Sequence, residues 1–217
     1  VYDEIITTKY ESEKCCMIYF LSHTLNLPRK KDIVFNPKFE KIKHKFLILS
    51  PFTTDPKRNL TERMILSILK KTKDLNIKII IIGSPSDKIY FKHVYLNFSN
   101  VEWRVGDTNL SDLPKLVKCS VGLICAETGT VQLGDFYDKP LMVVAGGGHY
   151  GRFVGKNADI QTNRLVCVSD DKSCFGCDWN CTRFDIETSK ETYPCLSSID
   201  IENNLKIFLK KVNYEYA

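Results

Sequence analysis

No stretch of the 217 residues is apolar over the roughly 20 positions that a membrane-spanning helix needs, and no signal-peptide pattern is visible. No single sign of charge dominates either. The net charge is +5, with Lys and Arg spread along the chain, so nucleic acid is not an expected partner, whereas a mildly basic cleft suits a phosphorylated ligand. There is no internal repeat. Two nucleotide fingerprints are also missing. Gly-x-Gly-x-x-Gly does not follow the first predicted strand, which disfavours a standard nicotinamide site. The run Gly151-Arg-Phe-Val-Gly155-Lys156-Asn157 approaches a P-loop, but its spacing is one residue short and Asn replaces Ser or Thr, which excludes a nucleoside triphosphatase.

What is present is the composition of a globular protein, 43% hydrophobic and 26% charged, at a length suited to one large domain or one domain with an appendage. The chain begins at Val1, and the expectation is a piece of a longer protein, with half of an active site outside this sequence. Nine Cys are many, and the odd total argues against complete disulfide pairing. Cys15, Cys16, Cys119, Cys125 and Cys167 fall in apolar surroundings and read as buried free thiols. Cys174, Cys177, Cys181 and Cys195 form a separate polar cluster. They suit one structural zinc in a small knuckle, two disulfides, or reduced thiols, and in each case a structural role is favoured over a catalytic one. Three Asn-x-Ser/Thr sequons, at Asn59, Asn97 and Asn180, read as chance matches in an Asn-rich chain.

Periodicity predicts a helix over 11–25, ending before Pro28, and then a Lys-rich connector over 28–45. Beyond it, short continuous apolar runs alternate with amphipathic stretches. Strands are predicted at 46–49, 77–82, 101–105, 121–125, 141–145 and 164–168, and helices at 60–75, 86–97, 110–118, 128–137 and 201–212. Continuous apolar strands separated by helices imply a doubly wound α/β domain with a parallel sheet covered on both faces, from about residue 40 onward.

Ligands of such sheets sit outside the carboxyl ends of the strands. Three polar loops leave such ends. The loop 50–59 carries Thr53, Thr54, Lys57 and Arg58, whose hydroxyls and cations suit a diphosphate; a solvated Pro-rich turn is an equal reading. Glu127-Thr128-Gly129 opens a helix, with free N–H groups for an anion and a carboxylate for sugar hydroxyls; the plainer reading is an ordinary N-cap. Gly146-Gly-Gly-His149-Tyr-Gly-Arg152-Phe153 lets backbone approach a ligand and offers His149 and Arg152 to a phosphate or sugar; the plainer reading is a flexible loop with a surface His.

Glu127-Thr-Gly-Thr-Val-Gln-Leu-Gly134, followed by Lys139-Pro-Leu-Met-Val-Val144, resembles the donor-site motif of the ADP-heptose:lipopolysaccharide heptosyltransferases and their relatives, glycosyltransferase family 9. The glycine loop 146–153, the cysteine-rich segment through Pro194-Cys195-Leu-Ser-Ser-Ile199, and the loop with Thr53, Thr54 and Lys57 extend the likeness to about residues 44–212. The resemblance implies a Rossmann-like domain, one half of a GT-B arrangement. Residues 44–217 are then the nucleotide-sugar-binding domain, with a cysteine-rich insertion at about 174–196, and residues 1–43 are a helix and linker from a preceding domain.

It further implies an inverting glycosyltransferase using a nucleotide-diphosphate sugar as donor, with no required cofactor beyond the candidate structural zinc. The acceptor is a glycan or lipopolysaccharide-type lipid. The catalytic base is expected in the N-terminal domain, and the location in the cytoplasm, peripheral at the inner membrane face. Carried over by position, Glu127 faces the donor sugar, Thr128 and Gly129 the diphosphate, and Lys57 neutralises phosphate charge. Gln132 stands where the family has His, and Thr130 where it has Pro or Ala; His149 or Arg152 is the candidate replacement for the charge. A related nucleotide-sugar epimerase and a non-catalytic interaction module on the same fold are the alternatives.

Overall fold

The computed structural model describes residues 45–150, 164–183 and 192–216. The predicted helix at 11–25, most of the connector, the boundary at 43/44, Arg152 and the P-loop-like run lie outside the described residues. Within them, six strands form one all-parallel sheet: β1 (Phe46–Ser50), β2 (Lys78–Ile81), β3 (Val101–Trp103), β4 (Gly122–Ala126), β5 (Leu141–Val144) and β6 (Arg164–Cys167). The spatial order is β3-β2-β1-β4-β5-β6. This is the doubly wound, Rossmann-like order, with β1 central and the direction of winding reversing between β1 and β4.

The central strands β1, β4 and β5 are buried on both sides because both faces of the sheet are covered there. All five residues of β1 and of β4 are buried. Alternate residues enter separate cores. Leu47 and Leu49 meet Met64, Ile65, Ile68 and Leu69 of α1 (Glu62–Asp74) and Leu205, Phe208 and Leu209 of the closing helix. Phe46 and Ile48 meet Leu116 and Val117 of α2 (Leu113–Cys119) and Val131 of α3 (Gly129–Phe136). A turn of helix, α4 (Pro194–Ser197), precedes the closing helix α5 (Glu202–Tyr216). Large-to-small changes in such cores typically cost about 2–5 kcal/mol, which makes this three-layer packing a main source of stability.

Helix ends follow from local chemistry. Thr61 caps α1 by accepting from the Met64 N–H at 3.3 Å. Just beyond α1 and α3, Asn76 and Asp138 take left-handed backbone at φ 54° each, a conformation Asn and Asp tolerate better than most residues.

One predicted element differs. Instead of a helix over 86–97 the chain forms two 3-10 turns, Pro85–Tyr90 and His93–Asn97, split by extended backbone at Phe91 and Lys92. The Ser84 N–H donates to Asp87 Oδ2 at 2.7 Å and fixes the first turn. Aromatic packing then redirects the chain: Phe91 meets Trp103 edge-on at 5.1 Å and Tyr95 stacks on it at 5.7 Å. Side-chain burial against Trp103 outweighs the local helical period. Among the described residues no helix is long and apolar enough to cross a membrane.

Candidate functional site

The winding reversal leaves a crevice outside the carboxyl ends of β1 and β4. Ser50 stands opposite Cys125 in register, and Ala126 opposite Val144. The loops after β1, β4 and β5 therefore leave from one edge of the sheet. The hydroxyls of Ser50 and Thr130, both buried and 3.2 Å apart, tie the end of β1 to the first turn of α3.

The Glu127-Thr128-Gly129 segment joins β4 to α3 at that edge. Thr128 is the N-cap of α3 by backbone, but its hydroxyl makes no capping bond. That hydroxyl oxygen and Gln132 Oε1, four residues along the helix, are shielded from solvent and have no hydrogen-bond partner among the described residues. Positions i and i+4 share a helix face, so the two atoms belong to one side of α3. Both oxygens of Glu127 are shielded as well. A Cβ built on Gly129 meets nothing within 4 Å, so open space adjoins the helix N-terminus. Leaving a buried polar group unmatched typically costs about 1–3 kcal/mol. Two such groups beside an open helix start make a polar recess suited to an oxygen-rich anion.

The loop after β1 spends much of its polarity on itself. Thr53 Oγ1 donates to the Asp55 carbonyl at 2.6 Å, and the Thr53 N–H donates to Asn59 Oδ1 at 2.7 Å. Arg58 Nη2 donates to Thr54 Oγ1 at 3.1 Å, and Arg58 Nε lies 3.6 Å from Asp55 Oδ2. The Asp55 carboxylate caps the Pro56–Arg58 turn by accepting from the Lys57 N–H at 3.1 Å. The Thr53 and Thr54 hydroxyls and the Arg58 cation thus hold the turn in shape. Asn59 is buried by the same network.

The glycine loop after β5 is bare for a reason internal to the protein. A Cβ on Gly146 would stand 2.5 Å from the Trp179 ring, and Cβ atoms on Gly147 and Gly148 would collide with Phe175 and Trp179. The segment 174–181 lies along this backbone. The Gly176 N–H donates to the Gly147 carbonyl at 2.8 Å, and the Asp178 N–H to the Gly148 carbonyl at 3.1 Å. His149 follows, its ring edge-on to Trp179 at 5.7 Å and its Nε2 3.9 Å from Asp178 Oδ1.

Trp179 also reaches the first loop. Its ring lies under the Arg58 guanidinium at 5.3 Å and packs on Tyr193 at 4.8 Å. Tyr193 in turn donates from its N–H to the Lys57 carbonyl at 3.1 Å and from its hydroxyl to Asp55 Oδ2 at 3.3 Å. Burial raises the Tyr193 phenol above its ordinary range, and the Asp55 carboxylate adds to the shift. Trp179 and Tyr193 were not legible as site residues. Their only sequence signal is a lone Trp inside a cysteine-rich segment downstream of three successive glycines.

Cys174, Cys177, Cys181 and Cys195 are free thiols. All four line one cavity of about 380 Å³, together with Trp179 and Tyr193. The Gly147 N–H donates to Cys195 Sγ at 3.4 Å. Four thiols with a backbone donor on one sulfur match a thiophilic ion by donor type. Among the described residues, however, no three His, Cys, Asp or Glu side chains are gathered as ligands of one ion. The sulfurs share a cavity without closing into a tetrahedral site. Cys125 and Cys167 are buried free thiols in the two cores, where burial pushes the Cys167 thiol up to about 12; Cys119 is half-buried.

No family model and no curated protein matches the sequence. Solved structures do. Escherichia coli ADP-heptose lipopolysaccharide heptosyltransferase II superposes with a TM-score of 0.61 at 11% identity, covering 91% of this chain and 51% of that one. The chain shares the fold of about half of that structure. E. coli heptosyltransferase WaaC, solved with ADP, gives a TM-score of 0.58 at 17% identity, over 90% of this chain and 54% of that one. The dodecameric iron-containing heptosyltransferase TibC of E. coli, solved with ADP-D-β-D-heptose, gives 0.56 at 14% identity, over 84% of this chain and 48% of that one. The chain spans about half the length of these heptosyltransferase structures.

Proposed function

We propose that this chain is the nucleotide-sugar-binding half of an inverting GT-B glycosyltransferase of the heptosyltransferase kind. The observation that carries the reading is the recess at the start of α3, where the Thr128 hydroxyl and Gln132 Oε1 are shielded from solvent and without a hydrogen-bond partner among the described residues, beside open space at Gly129. It stands at the switch point of the sheet, on a fold whose neighbours were solved with ADP and ADP-heptose. At the recess the α3 N–H groups and the Thr128 hydroxyl hold the diphosphate, Lys57 supplies a cation, and Glu127 accepts from sugar hydroxyls. Gln132 completes the recess as a neutral donor or acceptor, since exchanging its amide O and N reverses its role at the same position.

In the reaction a glycan or lipid-linked acceptor hydroxyl attacks the anomeric carbon as the bond to the diphosphate breaks, inverting that centre. A base from a second domain takes the acceptor proton. This domain contributes positioning and stabilises charge on the leaving diphosphate, at about 1.5–3 kcal/mol for each hydrogen bond to a charged group. The reading implies a location in the cytoplasm, peripheral at the inner membrane face. Cys174, Cys177, Cys181 and Cys195 have the donor type of a structural zinc site, but among the described residues they are not gathered as ligands of one ion.

A non-catalytic module on the same fold is favoured by one observation: Thr53, Thr54 and Arg58 are occupied within their own loop. Calorimetry on the 217-residue chain with ADP, GDP, UDP and their sugars separates the two. Binding of one nucleotide, without sugar transfer by this chain alone, supports the donor half. No binding of any at millimolar ligand, with the fold intact, supports the module.

A further inference from the structure

Among the described residues, shielded side-chain atoms without a hydrogen-bond partner gather at one edge of the sheet. Besides Thr128 Oγ1 and Gln132 Oε1 on α3, they include Arg58 Nε from the loop after β1 and Trp179 Nε1 from the cysteine-rich segment; away from this edge only Asn100 Oδ1 is left so. The two nitrogens belong to groups in contact, because the Arg58 guanidinium lies over the Trp179 ring at 5.3 Å. Arg58 spends Nη2 on the Thr54 hydroxyl, but its Nε stops 3.6 Å from Asp55 Oδ2, beyond hydrogen-bond reach. An indole N–H donates and cannot accept, and the same holds for a guanidinium N–H. The partner that both lack is therefore an acceptor.

Its contacts place the ring at the nucleotide edge. Cβ atoms built on Gly146 and Gly148 would strike it, so it lies against the loop after β5, whereas Arg58 belongs to the loop after β1. In the sheet, β4 lies between β1 and β5. A ring that touches the loops of both flanking strands stands beside the turn from β4 into α3, and that turn carries Thr128. The Trp179 backbone is held there in the left-handed region, at φ 64°, an outlier for so bulky a residue. Such backbone persists only where the surroundings enforce it, and it clusters at ligand clamps. Here the enforcement comes from the Asp178 N–H, which donates to the Gly148 carbonyl at 3.1 Å, and from the Tyr193 ring packed at 4.8 Å.

We infer that Trp179 is a nucleotide-binding residue: its indole N–H, together with the Arg58 Nε–H, donates to phosphate oxygens of the nucleotide held at the start of α3. The assignment rests on the donor-half reading above. A diphosphate presents ionised acceptor oxygens in several directions, so N–H groups from two loops and from α3 can share it, each in a charge-assisted bond. Trp179 brings no charge of its own. It adds a directed N–H, and its face keeps the Arg58 cation in place. Both nitrogens are shielded and unmatched in the free protein. Meeting them with phosphate oxygens therefore gains more than meeting N–H groups that already bond to water.

The test uses the full 217-residue chain with ADP as the probe. The chain holds two Trp, Trp103 and Trp179, so a proton–nitrogen correlation spectrum shows two indole N–H signals, and Trp179→Phe assigns them. Saturating ADP should move the Trp179 signal downfield. Trp179→benzothienylalanine puts sulfur where the indole has its N–H, which keeps the ring and removes the hydrogen bond. That protein should unfold thermally like the parent and bind ADP about tenfold or more weakly by calorimetry. Should it fail to fold or lose stability, the indole signal of the parent decides. An unmoved Trp179 signal at saturating ADP, or equal ADP affinity in the analogue and the parent, overturns the assignment and leaves the recess at Thr128 standing. Absence of ADP binding by the folded parent removes the donor-half reading, and the assignment with it.

Discussion

The guanidinium of Arg58 lies over the indole of Trp179, 5.3 Å from the ring centroid. A cation of the first polar loop is thereby held by the cysteine-rich segment, and the same indole lies against the glycine loop. Three stretches distant in sequence share one side chain.

That sharing predicts non-additive mutations. Trp179→Ala should lower stability by about 3 kcal/mol, near the low end for loss of a packed Trp because Trp179 is half-buried. Gly148→Ala should cost about 1–3 kcal/mol, because the new methyl collides with the ring. Once the ring is gone the methyl has room. The double variant should therefore lose at least about 0.5 kcal/mol less than the sum of the singles, as read from urea unfolding.

At the start of α3, stability and binding should move in opposite directions. Gly129→Asp places a carboxylate in open space at the positive end of the helix and should stabilise the fold by about 0.3–1 kcal/mol. The same carboxylate occupies the recess proposed for the diphosphate, so ADP binding measured by calorimetry should be lost. Thr128→Val removes a shielded hydroxyl that is unmatched within the described residues and should raise stability. It should weaken ADP by about tenfold or more, the equivalent of one hydrogen bond to a charged group. Unchanged ADP affinity in both variants would place the nucleotide elsewhere.

Arg164 of β6 and Asp135 of α3 form a buried ion pair, with side chains 1% and 7% exposed. Arg164→Met alone leaves the carboxylate buried without that partner and should cost about 3–5 kcal/mol. Changing both, as Asp135→Leu with Arg164→Met, should recover most of the loss. Thermal unfolding of the two single variants and the double distinguishes the cost of the orphaned charge from the worth of the pair.

Glu102 of β3 bonds Lys78 of the neighbouring strand, with oxygen and nitrogen 2.5 Å apart, and also bonds Arg104. Burial pushes its carboxyl up, but the hydrogen bonds and charges of Lys78 and Arg104 outweigh it and hold the group below the ordinary carboxylate range. The folded state therefore binds this proton less readily than the unfolded chain does. The stabilisation is full above the unfolded value, about 4.3, and is lost as the pH falls through the lower folded value. Glu102→Gln should cost about 0.2–1 kcal/mol at pH 7, and the gap to the parent should close on acidification through that window.

The sheet was readable because its central strands are buried on both faces and so appear as unbroken apolar runs, such as Phe46-Leu-Ile-Leu49 and Ile79-Ile-Ile-Ile82. The helix expected over 86–97 was misread because Phe91 and Tyr95 pack on Trp103, a tertiary contact with no trace in local periodicity. The polar loops were placed at the right edge, yet their composition could not tell a hydroxyl offered to a ligand from one spent on a turn. Thr53 satisfies its own loop while Thr128 does not, and both read simply as Thr beside a strand end. The same ambiguity covers Gly146, Gly147 and Gly148: a bare backbone reads the same whether a ligand or an indole lies against it.

The strand order also governs how the chain finds its fold. Every neighbouring pair is parallel, so no two adjacent strands can zip together as a hairpin, and each pairing awaits a crossover. The central contact, β1 with β4, joins residues separated by α1, β2, β3 and α2, and it brings Ser50 to Thr130. Loop closure must precede that reward, which sets a slow, long-range step at the centre of folding. Until it completes, the edges of β1 and β4 are open to other chains. Yield on refolding should accordingly fall as protein concentration rises, well before native stability becomes limiting.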